Sequence, residues 1–147
     1  MATVVRLAQD SDFADIVRLL QKANINTDGV DKPTSRFLVV ENQGTESTNI
    51  IGTAGVEFYG EKALLRSLVL ESAGNARIGV EMIRVLLAFV QEQDMKELYL
   101  LTRASTPFFE QLGFSEIGWE QLPHDILMSD HVQGIDRDAV PMVHLVG

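Results

Sequence analysis

The sequence predicts a mixed α/β fold in one domain, 1–147: a mostly antiparallel central sheet with one parallel strand pair and helices flanking it. Three observations predict it. The first half is a meander of β-branched and aliphatic runs separated by turn formers, interrupted by one amphipathic helix. The stretch from Ala63 to Gln93 is a strand, a small-residue turn and a long apolar helix, and another apolar strand follows at Glu97. Strand, helix, strand in that order requires a parallel pair with a right-handed crossover. Finally, no internal repeat, low-complexity tract or compositional break divides the 147 residues.

Each element has its local reason. Val4 to Ala8 reads as the first strand. Asp10, Ser11 and Asp12 offer N-caps and negative charge for a helix start. Phe13, Ile16, Val17 and Leu20 then fall on one helical face. Asn24 to Gly29 ends that helix in turn formers, and Val30 to Ser35, with Pro33, is an irregular link. Arg36 to Glu41 is the second strand, Asn42 to Asn49 a polar hairpin loop, and Ile50 to Tyr59 the third strand. Its interior Gly52 and Gly55 mark a bulge or a close approach. Gly60-Glu61-Lys62 turns the chain into the fourth strand, Ala63 to Leu70.

In the long helix, Met82, Ile83, Val85, Leu86, Leu87, Phe89 and Val90 oppose a narrow, more polar stripe of Arg77, Glu81, Arg84, Ala88 and Gln91. Gln93 to Lys96 stops it, and Glu97 to Thr102 is a compact strand. Thr106 caps a short helix with Pro107 at its first position, and Gly113 takes the left-handed position past its end. Phe114 to Trp119 is a strand, Pro123 to Val132 a short helix closed near Gly134, and Val140 to Val146 the last strand. Pro141 puts that strand at an edge, or itself at the strand's start.

Composition excludes several function classes. The 12 basic and 21 acidic residues leave a net charge of −9, unsuited to a nucleic-acid or anionic-membrane surface. No cysteine is present, which removes disulfides, thiolate zinc sites and a cysteine nucleophile. No apolar run reaches spanning length, so a soluble, cytoplasmic protein is expected. His124 and His131 lie seven residues apart and His144 stands alone; they read as surface histidines, with no zinc spacing and no metal site. Asp125, Asp130, Asp136 and Asp138 read as a solvated acidic end. Ser67 and Ser72 lack a glycine elbow and a base.

Two stretches carry chemistry. The turn into the long helix leaves free backbone N–H groups at the positive end of the helix dipole, a ready anion site about Gly74, Asn75, Ala76, Arg77, Ile78, Gly79 and Val80, with an ordinary strand-turn-helix joint as the competing explanation. Glu57 sits mid-strand between Val56 and Phe58, where a carboxylate has little local reason to be. With a two-residue turn at Glu61-Lys62, Glu57 pairs with Arg66 across the hairpin, and Tyr59 shares their face. A structural ion pair is the competing explanation for Glu57 and Arg66.

The run Leu100-Leu101-Thr102 followed by Pro107-Phe108-Phe109-Glu110-Gln111-Leu112-Gly113-Phe114 resembles the C-terminal signature of the GNAT acetyl-CoA-dependent N-acetyltransferases. Gly55 to Gly60 with Ala63 to Leu68 resembles the GNAT proteins of bacterial and archaeal arsenic-resistance operons. The resemblance implies acetyl-CoA as cofactor, its pyrophosphate at the Gly74–Gly79 loop. The family pattern there has Arg or Gln, two residues, Gly, one residue, then Gly or Ala. Only Gly79 matches; Gly74 holds the first anchor and Arg77 the middle glycine's place. The resemblance also implies a splay between the fourth and fifth strands. The pantetheine arm would enter there, against the backbone of Leu68, Val69 and Leu70, with Thr102 and Phe108 opposite. The usual general acid, a tyrosine, is replaced by Phe109; Tyr59, Tyr99, Thr102 and Ser105 are the remaining hydroxyls by chemistry.

On this footing Glu57 takes the amine proton, directly or through water. Tyr59 and Arg66 bind substrate, the guanidinium suiting a carboxylate or phosphinate. A tight Glu57–Arg66 pair would make Glu57 a poorer base. The expected reaction is acetyl transfer from acetyl-CoA to the primary amine of a small, amino-acid-like metabolite or xenobiotic, of which phosphinothricin and its arsenic analogue are the types the subgroup implies. The alternatives are a non-catalytic acyl-CoA-binding or regulatory protein and acetylation of a protein N-terminus or lysine. The expected partners are a small-molecule amine and, in a homodimer, a second copy of the chain, with neither nucleic acid nor membrane.

Overall fold

The structure is a computed structural model that describes residues 2–25, 27, 30, 35–43, 48–71, 76–103 and 105–146. Its strands are β1 (Ala2–Leu7), β2 (Ser35–Gln43), β3 (Thr48–Tyr59), β4 (Lys62–Leu70), β5 (Glu97–Thr102), β6 (Ser115–Glu116) and β7 (Val140–Leu145). The helices are α1 (Phe13–Lys22), α2 (Ala76–Glu92), α3 (Thr106–Gln111), α4 (His124–Leu127) and α5 (Asp130–Gln133). The strands form one sheet in the order β1-β2-β3-β4-β5-β7-β6. Only β4 and β5 run parallel, as the crossover through α2 requires.

Period-2 alternation sends each strand's side chains to two faces. On one face, Leu38, Val40, Ala54, Val56, Ala63 and Leu65 meet Met82, Ile83, Leu86 and Val90 of α2. The polar stripe of α2 is exposed at Arg77, Glu81, Arg84, Ala88 and Gln91, as the sequence predicts. The other face has two smaller clusters. Ile16, Leu19 and Leu20 of α1 pack on Phe37 and Val39, while Leu122, Ile126 and Val132 pack on Leu64 and Tyr99. The α1 contact lies further along than expected. Phe13 opens the helix and is 36% exposed, whereas Leu19 is buried.

The hairpin between β3 and β4 corrects the expected register. Gly60 and Glu61 form the two-residue loop, with Tyr59 opposite Lys62, and Gly60 has φ +62°. A positive φ at the first loop position favours glycine, and this sets the turn one residue earlier than Glu61-Lys62. Glu57 therefore stands opposite Leu64, and Arg66 opposite Gly55. Glu57 and Arg66 still share a face, as diagonal neighbours rather than a direct pair.

Two further expectations change. The strand anticipated over Phe114 to Trp119 shrinks to Ser115–Glu116, and Trp119–Gln121 is a 3-10 turn. The helix anticipated over Pro123 to Val132 is two short ones. Ser129 stands between them in extended backbone and accepts the Val132 N–H on its hydroxyl, capping α5.

Candidate active site

Strands β4 and β5 pair only from Lys62–Leu64 to Glu97–Tyr99. Beyond that point no ladder joins Leu65–Leu70 to Leu100–Thr102, and the strands diverge. A bulge in β4 accompanies the divergence. Between the pairs Gly55–Arg66 and Thr53–Val69, β4 spends one residue more than β3. Ser67 in that bulge has φ +60°, uncommon for a residue with a side chain. Its hydroxyl accepts the Arg66 Nε–H at 2.9 Å.

The gap opens into a cavity of about 910 Å³. Its β4 wall carries Arg66, Ser67, Leu68 and Leu70; its β5 wall carries Leu100, Leu101 and Thr102. Gly79 of α2 and Phe108 of α3 meet at one side, where a Cβ on Gly79 would stand 3.7 Å from the Phe108 ring. His131 and Gly134–Asp136 contribute from beyond α4. Of the residues the sequence singles out, the cavity wall thus gathers Arg66, Leu68, Leu70, Gly79, Thr102 and Phe108. Val69 points to the opposite face, against the α1 cluster. Arg77 is exposed at the start of α2. Ile78 and Val80 share that first turn with Ala76, and neither Ile78 nor Val80 is on the wall. Gly74 and Asn75 lie outside the described residues.

Glu57 does not line the cavity; it sits behind Arg66. Arg66 Nη1 donates to its Oε2 at 2.9 Å, and the Ser35 hydroxyl approaches the same oxygen at 3.5 Å. Tyr59 donates its O–H to Oε1 at 2.7 Å. The side chains of Glu57 and Arg66 are 5% and 0% exposed. Such a buried charge pair is tenable because each partner is also hydrogen-bonded elsewhere. Burial, reinforced by the bond to Glu57, pushes the Tyr59 phenol well above its ordinary range. Tyr59 itself opens onto a separate surface hollow with Lys62 and Asp125. Tyr99 is buried beside Leu64, its phenol pushed up to about 12 chiefly by burial.

His131 is the residue that the sequence reading misplaced. It is 8% exposed rather than on the surface, and its Nδ1, like that of His144, is enclosed with no hydrogen-bond partner among the described residues. Burial, and then the Arg66 charge, push its imidazolium down from 6.5 to about 4. Nothing in the local sequence marks it, since α5 is four residues long and too short for a periodic signal. Phe109 is in the core, edge-on to Phe108 and Phe114.

Comparison with known proteins places this geometry. No curated protein matches the sequence. Among solved structures, an acetyltransferase of the GNAT family from Staphylococcus aureus Mu50 aligns at 20% identity and a TM-score of 0.74, covering 99% of this chain and 100% of the other. N-acetylglutamate synthase from Neisseria gonorrhoeae, complexed with coenzyme A and N-acetyl-glutamate, aligns at 16% identity and a TM-score of 0.78. The match covers 100% of this chain and 36% of that longer enzyme. The ribosomal-protein-S18-alanine N-acetyltransferase from Escherichia coli aligns at 15% identity and a TM-score of 0.72, covering 99% and 95%. These likenesses establish the fold. The family model described as Acetyltransferase (GNAT) family matches residues 4–114, three-quarters of the sequence, so the chain belongs to the GNAT acetyltransferase family.

Proposed function

We propose that this acetyltransferase moves the acetyl group of acetyl-CoA to the primary amine of a small, amino-acid-like metabolite or xenobiotic. Acetyl-CoA is the family's acyl donor. The observation that carries the proposal is the splay of β4 from β5, which opens a cavity of about 910 Å³ with a buried guanidinium on its wall.

The residues present fit the donor. Unpaired backbone of Leu68 and Leu70 faces the gap, available to an amide-bearing arm, with Thr102 and Phe108 opposite. The absence of a side chain at Gly79 keeps the passage beside Phe108 open. The first turn of α2, from Ala76, presents backbone N–H groups at the positive end of the helix dipole, and they suit a pyrophosphate. Arg77 adds a solvent-exposed cation there. When bound, the donor supplies a thioester whose carbonyl carbon accepts the amine.

At the other end, Arg66 suits an acceptor's carboxylate or phosphinate. Glu57 and Ser67 hold that guanidinium against the cleft wall, and Tyr59 in turn donates to Glu57. We assign Glu57 a positioning role, because its oxygens already serve Arg66, Tyr59 and Ser35. The subgroup resemblance points to acceptors of the phosphinothricin type and their arsenic analogues. The same reading carries a cytoplasmic location and a homodimer, to be checked by fractionation and light scattering. A protein N-terminus is the competing acceptor, favoured by the net charge of −9, which suits a basic partner.

The test is thermal denaturation with and without millimolar acetyl-CoA, followed by thiol-release assays on an amine panel. The panel holds amino acids, phosphinothricin, simple alkylamines and a basic peptide. Stabilisation by acetyl-CoA with turnover of an amino-acid-like amine supports the proposal. No stabilisation, or turnover of the peptide alone, refutes it.

A further inference from the structure

The buried polar residues of this protein are concentrated in one place. Asp12, Ser35, Thr53, Glu57, Arg66, Ser67, Ser129 and His131 are the buried polar side chains among the described residues. Ser35, Glu57, Arg66 and Ser67 are joined by hydrogen bonds, and Tyr59 donates to Glu57. His131 lies next to Arg66 at the cavity wall. Among the buried polar residues at this cavity, it is the one that takes no part in the hydrogen bonds to Arg66 and Glu57.

We propose that His131 is a catalytic residue of the acetyl transfer, carrying the proton from the attacking amine nitrogen to the departing sulfur. The inference rests on the acetyltransferase reading above and adds the group that moves the proton.

Elimination on the cavity wall is the first support. Among the described residues, the ionisable side chains there are Arg66, Arg103, His131 and Asp136. A guanidinium accepts no proton. Asp136 is 76% exposed and sits 3.8 Å from Arg103. Glu57 is screened from the cavity by Arg66 and already accepts three donors. His131 is buried, touches the cavity and has a lone pair whenever it is neutral. The second support is its cost. An enclosed Nδ1 with no partner among the described residues is a penalty that a phenylalanine or leucine would avoid; His144 carries one too, but of the two only His131 is on the cavity wall. The third is the vacancy at Phe109, a core side chain with no hydroxyl to protonate sulfur.

The step balances. One C–N bond forms, one C–S bond breaks, and one proton leaves nitrogen for the imidazole and then goes to sulfur. The ring ends as it began, and no other reactant is needed. The nitrogen becomes acidic as it bonds to carbon, which lets a weak base accept its proton. Burial and Arg66 keep the ring neutral at pH 7, and they make its protonated form a stronger acid than a thiol, so the transfer to sulfur runs downhill.

The experiment uses two readouts. Turnover of the best amine in the panel, with acetyl-CoA, is compared between the wild-type chain and His131→Asn, with His131→Gln as the second variant. A loss of ~100-fold or more in kcat, with the KM for acetyl-CoA within about twofold, is the expected result, as is partial rescue by added imidazole. Turnover within about threefold of wild type overturns the inference alone. If the wild-type chain acetylates no amine, the function proposed above falls and takes this one with it. The second readout is the imidazole NMR signal of a chain whose other histidines are replaced, His124→Gln and His144→Gln. Addition of CoA should shift the His131 resonances. Unmoved resonances at saturating CoA overturn the inference, even if the His131 variants fail to fold.

Discussion

His131 makes the stability of this protein sensitive to mild acid. Its imidazolium is disfavoured by burial and by the Arg66 charge, with a folded value of about 4 against an ordinary 6.5. The folded value is the lower one, so between these limits the unfolded chain binds a proton that the folded chain refuses. The contribution is fully present above pH 6.5 and is lost as pH falls toward 4. By pH 5 the loss amounts to about 2 kcal/mol, and it approaches roughly 3 kcal/mol at full titration. The ring is buried, so solvent screening does not erase the effect. The charge that acts on it is Arg66 on β4, with Asp130 its chain neighbour on α5, and His131→Gln leaves both in place. The assay is urea denaturation at pH 7 and pH 5 on both chains. The wild-type midpoint should fall by roughly 1 M more than that of His131→Gln, given an urea m-value of ~2 kcal/mol/M. Parallel midpoints in the two chains would refute the reasoning, whatever carboxylates elsewhere contribute to both.

Three further outcomes are expected. Glu57→Gln leaves Arg66 as a buried charge without its counter-ion, and should lower stability by about 3 kcal/mol, read as a fall in melting temperature; it should also raise the KM of a carboxylate-bearing acceptor more than that of acetyl-CoA, and unchanged melting would show that the pair is idle. Gly55→Ala places a Cβ 2.5 Å from the Phe37 ring and should cost about 1–3 kcal/mol; Phe37→Leu in the same chain should recover part of it, and strict additivity would exclude the clash. Asp12→Asn removes a carboxylate held below its usual range by the Arg6 hydrogen bond; that carboxylate's contribution is present above pH 3.8 and lost below it, so the variant should lose less stability than wild type on titration from pH 5 to pH 3.

Much of the fold is legible because its signals are local and repeated. The exposed stripe of α2 follows from helical periodicity over seventeen residues, and the parallel pair follows from strand–helix–strand order. Gly52 and Gly55 were legible as marks of close approach, and both are crowded, by Leu70 and by Phe37. Gly113 has φ +98°, as its place after α3 suggested. The short elements were not legible, because two or four residues carry no period: β6, α4 and α5 belong to this class.

The site divides along the same line. Arg66, Leu68, Thr102 and Phe108 lie on long strands or beside a proline-started helix, and the sequence placed them on one cleft. The hairpin turn was set one residue late, yet the face shared by Glu57 and Arg66 survived, because a shift of the loop by one residue moves the paired sum by two and preserves the alternation. What did not survive was the direct pairing of Glu57 with Arg66, and the diagonal contact puts the carboxylate behind the guanidinium instead of beside it in the cleft. His131 reaches the same cleft through a chain path that no local pattern encodes. Ser129 caps α5, Val132 anchors it against Leu64 and Tyr99, and the histidine between them lines the same cavity as Arg66. The proton-handling group of this site is thus fixed by tertiary packing, while the strands that frame it are fixed by alternation. Substitutions that loosen α5 without touching the sheet, such as Val132→Ala, should therefore lower turnover through His131 while leaving acetyl-CoA binding to β4, β5 and α2 intact. Loss of acetyl-CoA affinity in Val132→Ala, measured by calorimetry on the folded variant, would show that the two halves of the cleft are not independent.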